Sequence, residues 1–221
     1  MIDLFDIIFE DKEIKNIYDR IEKYEDSTKG WAYHNWNHVI NVTNLVETIL
    51  LKFDVSKEYI ESAKIASLLH DVGAITGKDG HALRSREFAK EYFERKKLKP
   101  KYSSLILDSI EHHSNGFDSS ELMTLVLIIS DKLDITKQRL AKEGYNVIGM
   151  RQLQYIEDVV ITFSDSKFIV NFLVTDELHF QELFDFYFIK KVIKSIHAFA
   201  NITNLNPIIQ INLQDIKRLL E

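Results

Sequence analysis

The stretch Ala63-Lys64-Ile65-Ala66-Ser67-Leu68-Leu69-His70-Asp71-Val72-Gly73 decides how the rest of the chain is read. Its small and branched apolar residues continue a helical register that begins near Ser56 or Lys57 and carries Ile60, Ala63, Ala66 and His70 on one face. A histidine and a carboxylate side by side at the end of such a helix are costly, because a carboxylate in an apolar interior normally neutralises instead of staying charged. Either backbone groups satisfy the pair or a divalent metal does, since imidazole nitrogen and carboxylate oxygen are both ordinary ligands. Gly73 fits the left-handed stop expected after the helix.

Upstream, residues 2–24 set Ile14, Ile17, Tyr18, Ile21 and Tyr24 at three- and four-residue steps, a helical stripe that Gly30 ends. Asn35 or Asn37 is placed to cap the next helix. That helix turns His38 to the side of Val42, Leu45 and Ile49, as a satisfied core group or as a ligand. Downstream, His81 opens a helix and shares a face with Ser85, Phe88 and Tyr92, with Arg84 one turn on. A further helix aligns Tyr102, Ile106, Ile110 and His113. His112 lies about 100° away round that helix, so His113 is the favoured inward group and His112 the second choice. Leu122 to Ile129 is apolar on nearly every face and therefore central, with Asp131 directly after it and Lys132 and Asp134 beside it. The segment to about Leu140 continues helical.

After Gly144 the period changes. Ile156–Phe163 and Phe168–Val174 are rich in β-branched and aromatic residues and are joined by Ser164-Asp165-Ser166-Lys167, a hairpin. Residues 179–200 return to a helical period, and Pro207–Ile211 fits a third strand. The expected architecture is mainly α, a helical domain over residues 1–145 followed by a small α+β appendage (β-hairpin, helix, strand) over 146–221. In the appendage His179 and His197 have no carboxylate at ligand spacing and are read as structural or surface groups.

The totals narrow the function classes. A chain of 221 residues with 45% hydrophobic and 28% charged residues can build a sizeable core. Net charge −6 and pI near 5.8 give no field for nucleic acid or anionic membrane. With no cysteine, disulfides and thiolate metal sites are excluded, and a reducing cytoplasm is the expected location. Met1–Asp6 carries two acids and does not read as a secretory leader, and no apolar run approaches the roughly 18 residues of a membrane span. There is no Gly-x-Gly-x-x-Gly, Walker loop or His-Glu-x-x-His. Asn41-Val42-Thr43 and Asn201-Ile202-Thr203 match a glycosylation tripeptide by chance, the first inside a helix.

His38, His70 with Asp71, His81, His113 and Asp131 come from successive helices, at helix ends or on apolar stripes, where such residues are unfavourable without a partner. Nitrogen and oxygen donors without sulfur suit iron, manganese, zinc, cobalt or magnesium. In this order, His38…His70-Asp71…His81…His112-His113…Asp131, the chain resembles the HD-domain metal-dependent phosphohydrolase superfamily over roughly residues 30–140. The resemblance implies an HD-type helical bundle and one or two divalent metal ions. By position, His38, His70, Asp71 and Asp131 would hold one ion. Asp71 would bridge to a second, completed by His81 and His113 or His112.

Gly80-His81-Ala82-Leu83-Arg84-Ser85, Ile110-Glu111-His112-His113-Ser114 and Ser130-Asp131-Lys132-Leu133-Asp134 look like the branch that includes small bacterial nucleotide hydrolases. The stretch Tyr33-His34-Asn35…His38 is similar to the opening motif of cyclic-nucleotide phosphodiesterases, which makes His34 a candidate proton donor. The implied reaction is hydrolysis of a phosphate ester or anhydride, with a nucleotide as the expected substrate and metal-activated water as nucleophile. Lys132 and Arg84 are then candidates for neutralising phosphoryl oxygens, against salt bridges to Asp134 or Glu87. Two rival readings are a di-iron oxygenase on the same ligand set and a non-enzymatic ligand-sensing or scaffold protein whose appendage makes a homodimer or partner contact. The appendage itself has no counterpart in the resemblance.

Overall fold

The structure, a computed structural model, describes residues 3–216. The expected helix start at Ile2 and the outer limits of the two expected domains lie outside them. Contacts divide the chain into two compact units. The first comprises the residues up to Thr28 together with Tyr33–Asp131; the second comprises Lys29–Ala32 and the residues from Lys132 onward. Residues 132–145, expected with the helical domain, thus group with the C-terminal unit.

In the first unit α1 (Leu4–Phe9) and α2 (Lys12–Ser27) replace the single helix expected at the N-terminus. Asp11 separates them: its carboxylate accepts from Glu13 N–H at 2.9 Å and so starts a new helix. The face that α2 buries is Ile14, Tyr18, Ile21 and Glu25; Tyr24 is exposed, and an acid occupies the inward position in its stead. Asn35 caps α3 (Trp36–Leu50), accepting from His38 N–H at 3.1 Å. Ser56 caps α4 (Lys57–Leu69) in the same way through Tyr59 N–H.

The exit from α4 differs from the expectation. Gly73 is not in the left-handed region; the chain runs on from His70-Asp71 into a 3-10 turn, Val72–Thr76. Gly73 is there because of a close approach: a Cβ would lie 2.3 Å from the His81 carbonyl oxygen and 2.6 Å from Ser85 N. That approach packs the turn against α5 (His81–Lys96). After it come α6 (Ser103–His112), packed on α4 and α5, and α7 (Leu122–Leu133). From Met123 to Asp134 every residue of α7 and its end is buried, as its all-round apolarity requires. The helix stops at Leu133, short of the expected Leu140, and a 3-10 turn follows at Lys137–Arg139.

In the second unit the expected hairpin is present as β1 (Ile156–Ser164) and β2 (Lys167–Val174), antiparallel, with Asp165 in the left-handed conformation at the turn. The expected single helix is two, α8 (Phe180–Asp185) and α9 (Tyr187–Ile202), separated by the extended residue Phe186. They carry the chain across to β3 (Asn206–Ile211), which pairs parallel to β2, and β4 (Gln214–Asp215) closes the order β1-β2-β3-β4. Phe168 and Phe199 meet with ring centroids 4.9 Å apart, so α9 covers the face bearing Phe168, Val170 and Phe172.

Candidate metal centre

The first unit brings its histidines and aspartates together from five helices. His38 comes from the first turn of α3, where the Asn35 cap fixes the entry of the chain. His70 and Asp71 leave the end of α4, His81 opens α5, His113 ends α6 and Asp131 lies near the end of α7. Helix ends serve well here because the residue is held by the helix on one side and free of its packing on the other.

Asp71 is the centre of the arrangement. Its Oδ2 lies 3.1 Å from His70 Nε2 and 3.4 Å from His38 Nε2, while His38 Nε2 is also 3.3 Å from Asp131 Oδ1. Its Oδ1 lies 3.1 Å from His81 Nε2 and 3.4 Å from His113 Nε2. The carboxylate therefore faces one group of donors with each oxygen: His38, His70 and Asp131 on one side, His81 and His113 on the other. Within each group the ligand-capable atoms lie inside 4.8 Å of one another.

The imidazoles are oriented from behind. Nδ1 of His70 meets the Ser67 carbonyl at 2.6 Å, that of His81 the Lys78 carbonyl at 2.6 Å, and that of His113 the Ile110 carbonyl at 2.7 Å. A carbonyl accepts only, so each Nδ1 carries hydrogen and each neutral ring turns an Nε2 lone pair inward. Those lone pairs converge: Nε2 of His81 and Nε2 of His113 are 2.9 Å apart. Such an encounter is repulsive unless a proton or a shared cation lies between the rings. His70 Nε2 and both oxygens of Asp71 are buried without a hydrogen-bond partner among the described residues, a costly state for a carboxylate. A divalent cation on either side of Asp71 would satisfy these atoms, and the donor set fits it.

The field of the site agrees with that chemistry. Burial pushes the Asp71 carboxyl up, but positive charge on its imidazole neighbours, His70 first and then His34, holds it well below the usual carboxylate range, a role that would fall to a cation when the rings are neutral. Burial also pushes His113 down to about 4, against the pull of Asp71, so that ring is neutral and ligand-competent near pH 7. His81 is less enclosed. Burial lowers it, and the neighbouring Asp71 carboxylate more than reverses this, leaving it raised.

The other residues picked out from the sequence fall in different places. His112 is exposed, with its Nδ1 on the Asp108 carbonyl at 2.8 Å; His113 is the member of the pair that joins the cluster. Arg84 does not reach toward Glu87, which pairs with Arg86, and its guanidinium donates to the carbonyls of Gly73, Gly77 and Asp79. Lys132 is buried in α7 immediately after Asp131. His34 is buried, with its ring centroid 5.8 Å from that of His38.

Two residues were missed by sequence reasoning. Glu25 accepts from the His34 backbone N–H at 2.8 Å with Oε2 and pairs with His34 Nδ1 through Oε1. Its signal was an acid at the inward position of α2, four residues after Ile21. Ser114 places its hydroxyl 3.2 Å from His113 Nε2 and 3.4 Å from His81 Nε2, and only its adjacency to His113 hinted at that.

Residues 35–138 match the HD domain family, a span that contains every member of the cluster. Over that span the chain is similar to an HD domain. A crystal structure of a predicted HD superfamily hydrolase from an uncultured Thermotogales bacterium is similar to it at 25% sequence identity, covering 57% of this chain and 68% of the other with a TM-score of 0.43. No curated protein matches the chain. The four-stranded sheet lies outside the matched span. Among the described residues no helix is long and apolar enough to cross a membrane.

Proposed function

We propose that this HD domain is a metal-dependent phosphohydrolase acting on a phosphate ester or anhydride, with a nucleotide as the substrate. The observation that carries the reading is the two-sided engagement of Asp71, whose oxygens face separate donor groups. His38, His70, Asp71 and Asp131 would hold one divalent ion, and Asp71, His81 and His113 a second. Such ions supply Lewis acidity toward phosphoryl oxygen and toward water.

The chain's own residues do the rest. The carbonyls of Ser67, Lys78 and Ile110 keep three imidazoles in the ligand tautomer through the cycle. Glu25 holds His34 by its backbone and its Nδ1, which leaves Nε2 as the atom that gives a proton to a leaving oxygen. Lys132, next to Asp131 in the chain, is the cation proposed to meet phosphoryl oxygen. Arg84 is not assigned that role, because three of its five N–H donors are bonded to loop carbonyls.

The test is turnover of a nucleotide panel by purified protein supplied with Mn²⁺, Fe²⁺, Co²⁺ or Mg²⁺. Release of phosphate or nucleoside that depends on the added ion supports the reading. Absence of turnover together with absence of metal uptake overturns it.

A further inference from the structure

Arg84 lies one turn after His81 in α5, and its side chain turns back over the loop that leads into that helix. Nε donates to the Gly73 carbonyl at 2.9 Å, Nη1 to the Asp79 carbonyl at 2.5 Å, and Nη2 to the Gly77 carbonyl. One planar fork thus ties down three carbonyls spread over residues 73–79. A lysine is a point charge on a flexible stem and cannot reproduce that geometry.

The same loop supplies the Lys78 carbonyl that takes His81 Nδ1. Its far end is pinned independently, since Gly73 N–H donates to Ser85 Oγ at 2.9 Å and Gly73 lies hard against the α5 backbone. Between those points Lys78, Asp79 and Gly80 are exposed. The fork of Arg84 joins this exposed stretch to the helix alongside two backbone bonds, His81 N–H to the Lys78 carbonyl at 3.1 Å and Arg84 N–H to the Gly80 carbonyl at 3.2 Å, and it reaches further back, to the carbonyls of Gly73 and Gly77.

We infer that Arg84 is a positioning residue for the His81–His113 side of the centre, an inference that rests on the metal reading above. It touches none of the converging atoms. It fixes the loop, the Lys78 carbonyl fixes the tautomer and rotation of His81, and His81 Nε2 is thereby brought to Asp71 Oδ1 and to His113. The opposite side owes nothing to this loop: His38, His70 and Asp131 are held by α3, α4 and α7, with the Ser67 carbonyl behind His70. Loosening the fork therefore separates the two sides, weakening one and sparing the other.

The experiment is a Co²⁺ titration of the full chain, followed by visible absorption and by elemental analysis, on wild type, Arg84→Met, Arg84→Lys and His81→Gln. Wild type is expected to take two equivalents. Arg84→Met is expected to take the first with unchanged affinity and the second about 10- to 100-fold more weakly, the range for removing a group that orients a ligand. Its one-equivalent spectrum should match that of His81→Gln. A purely structural arginine would lower the denaturation midpoint and leave the two-step titration intact.

Two equivalents bound by Arg84→Met as tightly as by wild type overturn the inference, as does equal weakening of both steps. If Arg84→Met does not fold, Arg84→Lys decides: a weaker second step supports the inference and an unchanged one overturns it. Wild type that takes up no Co²⁺ overturns the metal reading itself, and the inference falls with it.

Discussion

Glu25 grips His34 at two points, accepting from its backbone N–H at 2.8 Å and from its ring Nδ1. Both residues are buried, at 5% and 9% exposure, so the pair is shielded from the water that would otherwise loosen it. A glutamine at position 25 can accept through one oxygen only and must present an N–H where the second acceptor stood. Glu25→Gln is therefore expected to lower kcat about tenfold, and His34→Ala about a hundredfold, within the usual range for a positioned general acid. Metal content should stay as in wild type in both. Substrates with poor leaving groups should lose most, and steady-state kinetics on a leaving-group series measures this; equal losses across the series would remove His34 as proton donor.

If the buried atoms around Asp71 hold a divalent ion as proposed, the folded chain binds it and the unfolded chain does not. At a free ion concentration 100 times Kd, linkage stabilises the fold by about 2.7 kcal/mol. For a chain of this length that corresponds to a rise in Tm of roughly 5–10 °C. Thermal unfolding in Mn²⁺ against unfolding in chelator should show the difference. Asp71→Ala, which removes the acceptor common to both donor groups, should abolish it along with turnover. A metal-dependent Tm shift that survives in Asp71→Ala would show that the ion binds elsewhere.

Much of this centre was legible in the sequence because its members are the wrong residues for their places. His38, His70, Asp71, His113 and Asp131 occupy inward or helix-end positions that burial alone would have filled with apolar side chains, and the 3.6-residue period exposes that conflict directly. Glu25 carried the same signal. Tyr24, one position earlier, masks it, because in the sequence that residue completes the apolar stripe. Arginine beside a candidate site suggests an anion partner; that the partners of Arg84 are loop carbonyls depends on the path of residues 73–79, which no periodicity encodes. The break between α1 and α2 is a matter of one capping carboxylate, Asp11, within an otherwise continuous helical pattern. For the C-terminal unit the change of period gave the hairpin. The parallel pairing of β3 with β2 depends on where α8 and α9 return the chain, and only the three-dimensional path reveals it.

Gly73 tests the reason given for its presence. A Cβ there meets backbone atoms, the His81 carbonyl oxygen at 2.3 Å and Ser85 N at 2.6 Å, and backbone cannot move aside as a flexible side chain can. Gly73→Ala is expected to destabilise the fold by at least about 2 kcal/mol, in the range of overpacked interiors. Gly77→Ala differs in kind. Its Cβ would meet only the Tyr24 side chain, Oη at 3.4 Å and Cε1 at 4.0 Å, and the cost would come from the positive φ of 107°. Urea unfolding of the two variants separates steric from conformational strain; a Gly73→Ala as stable as wild type would refute the close approach.

In the second unit, Glu182 ties α8 to the segment before β1. Its Oε1 accepts from Gly149 N–H at 2.9 Å and from Arg151 Nε at 2.7 Å, and its Oε2 from Arg151 Nη2 at 2.7 Å. The Arg151 guanidinium holds the Glu182 carboxyl down to about 2, from an ordinary 4.5. As pH falls through 4.5 the unfolded chain takes up the proton first, so it binds more protons than the folded chain and stability declines. The contribution of Glu182 is therefore fully present above about pH 4.5 and is lost progressively on the way to about 2. Because the partners are partly exposed, salt should weaken the effect. Denaturant unfolding between pH 5 and pH 2.5 should show wild type losing its advantage over Glu182→Gln across that interval and in no other. Parallel pH profiles for the two proteins would mean that Arg151 and Glu182 do not pair in solution.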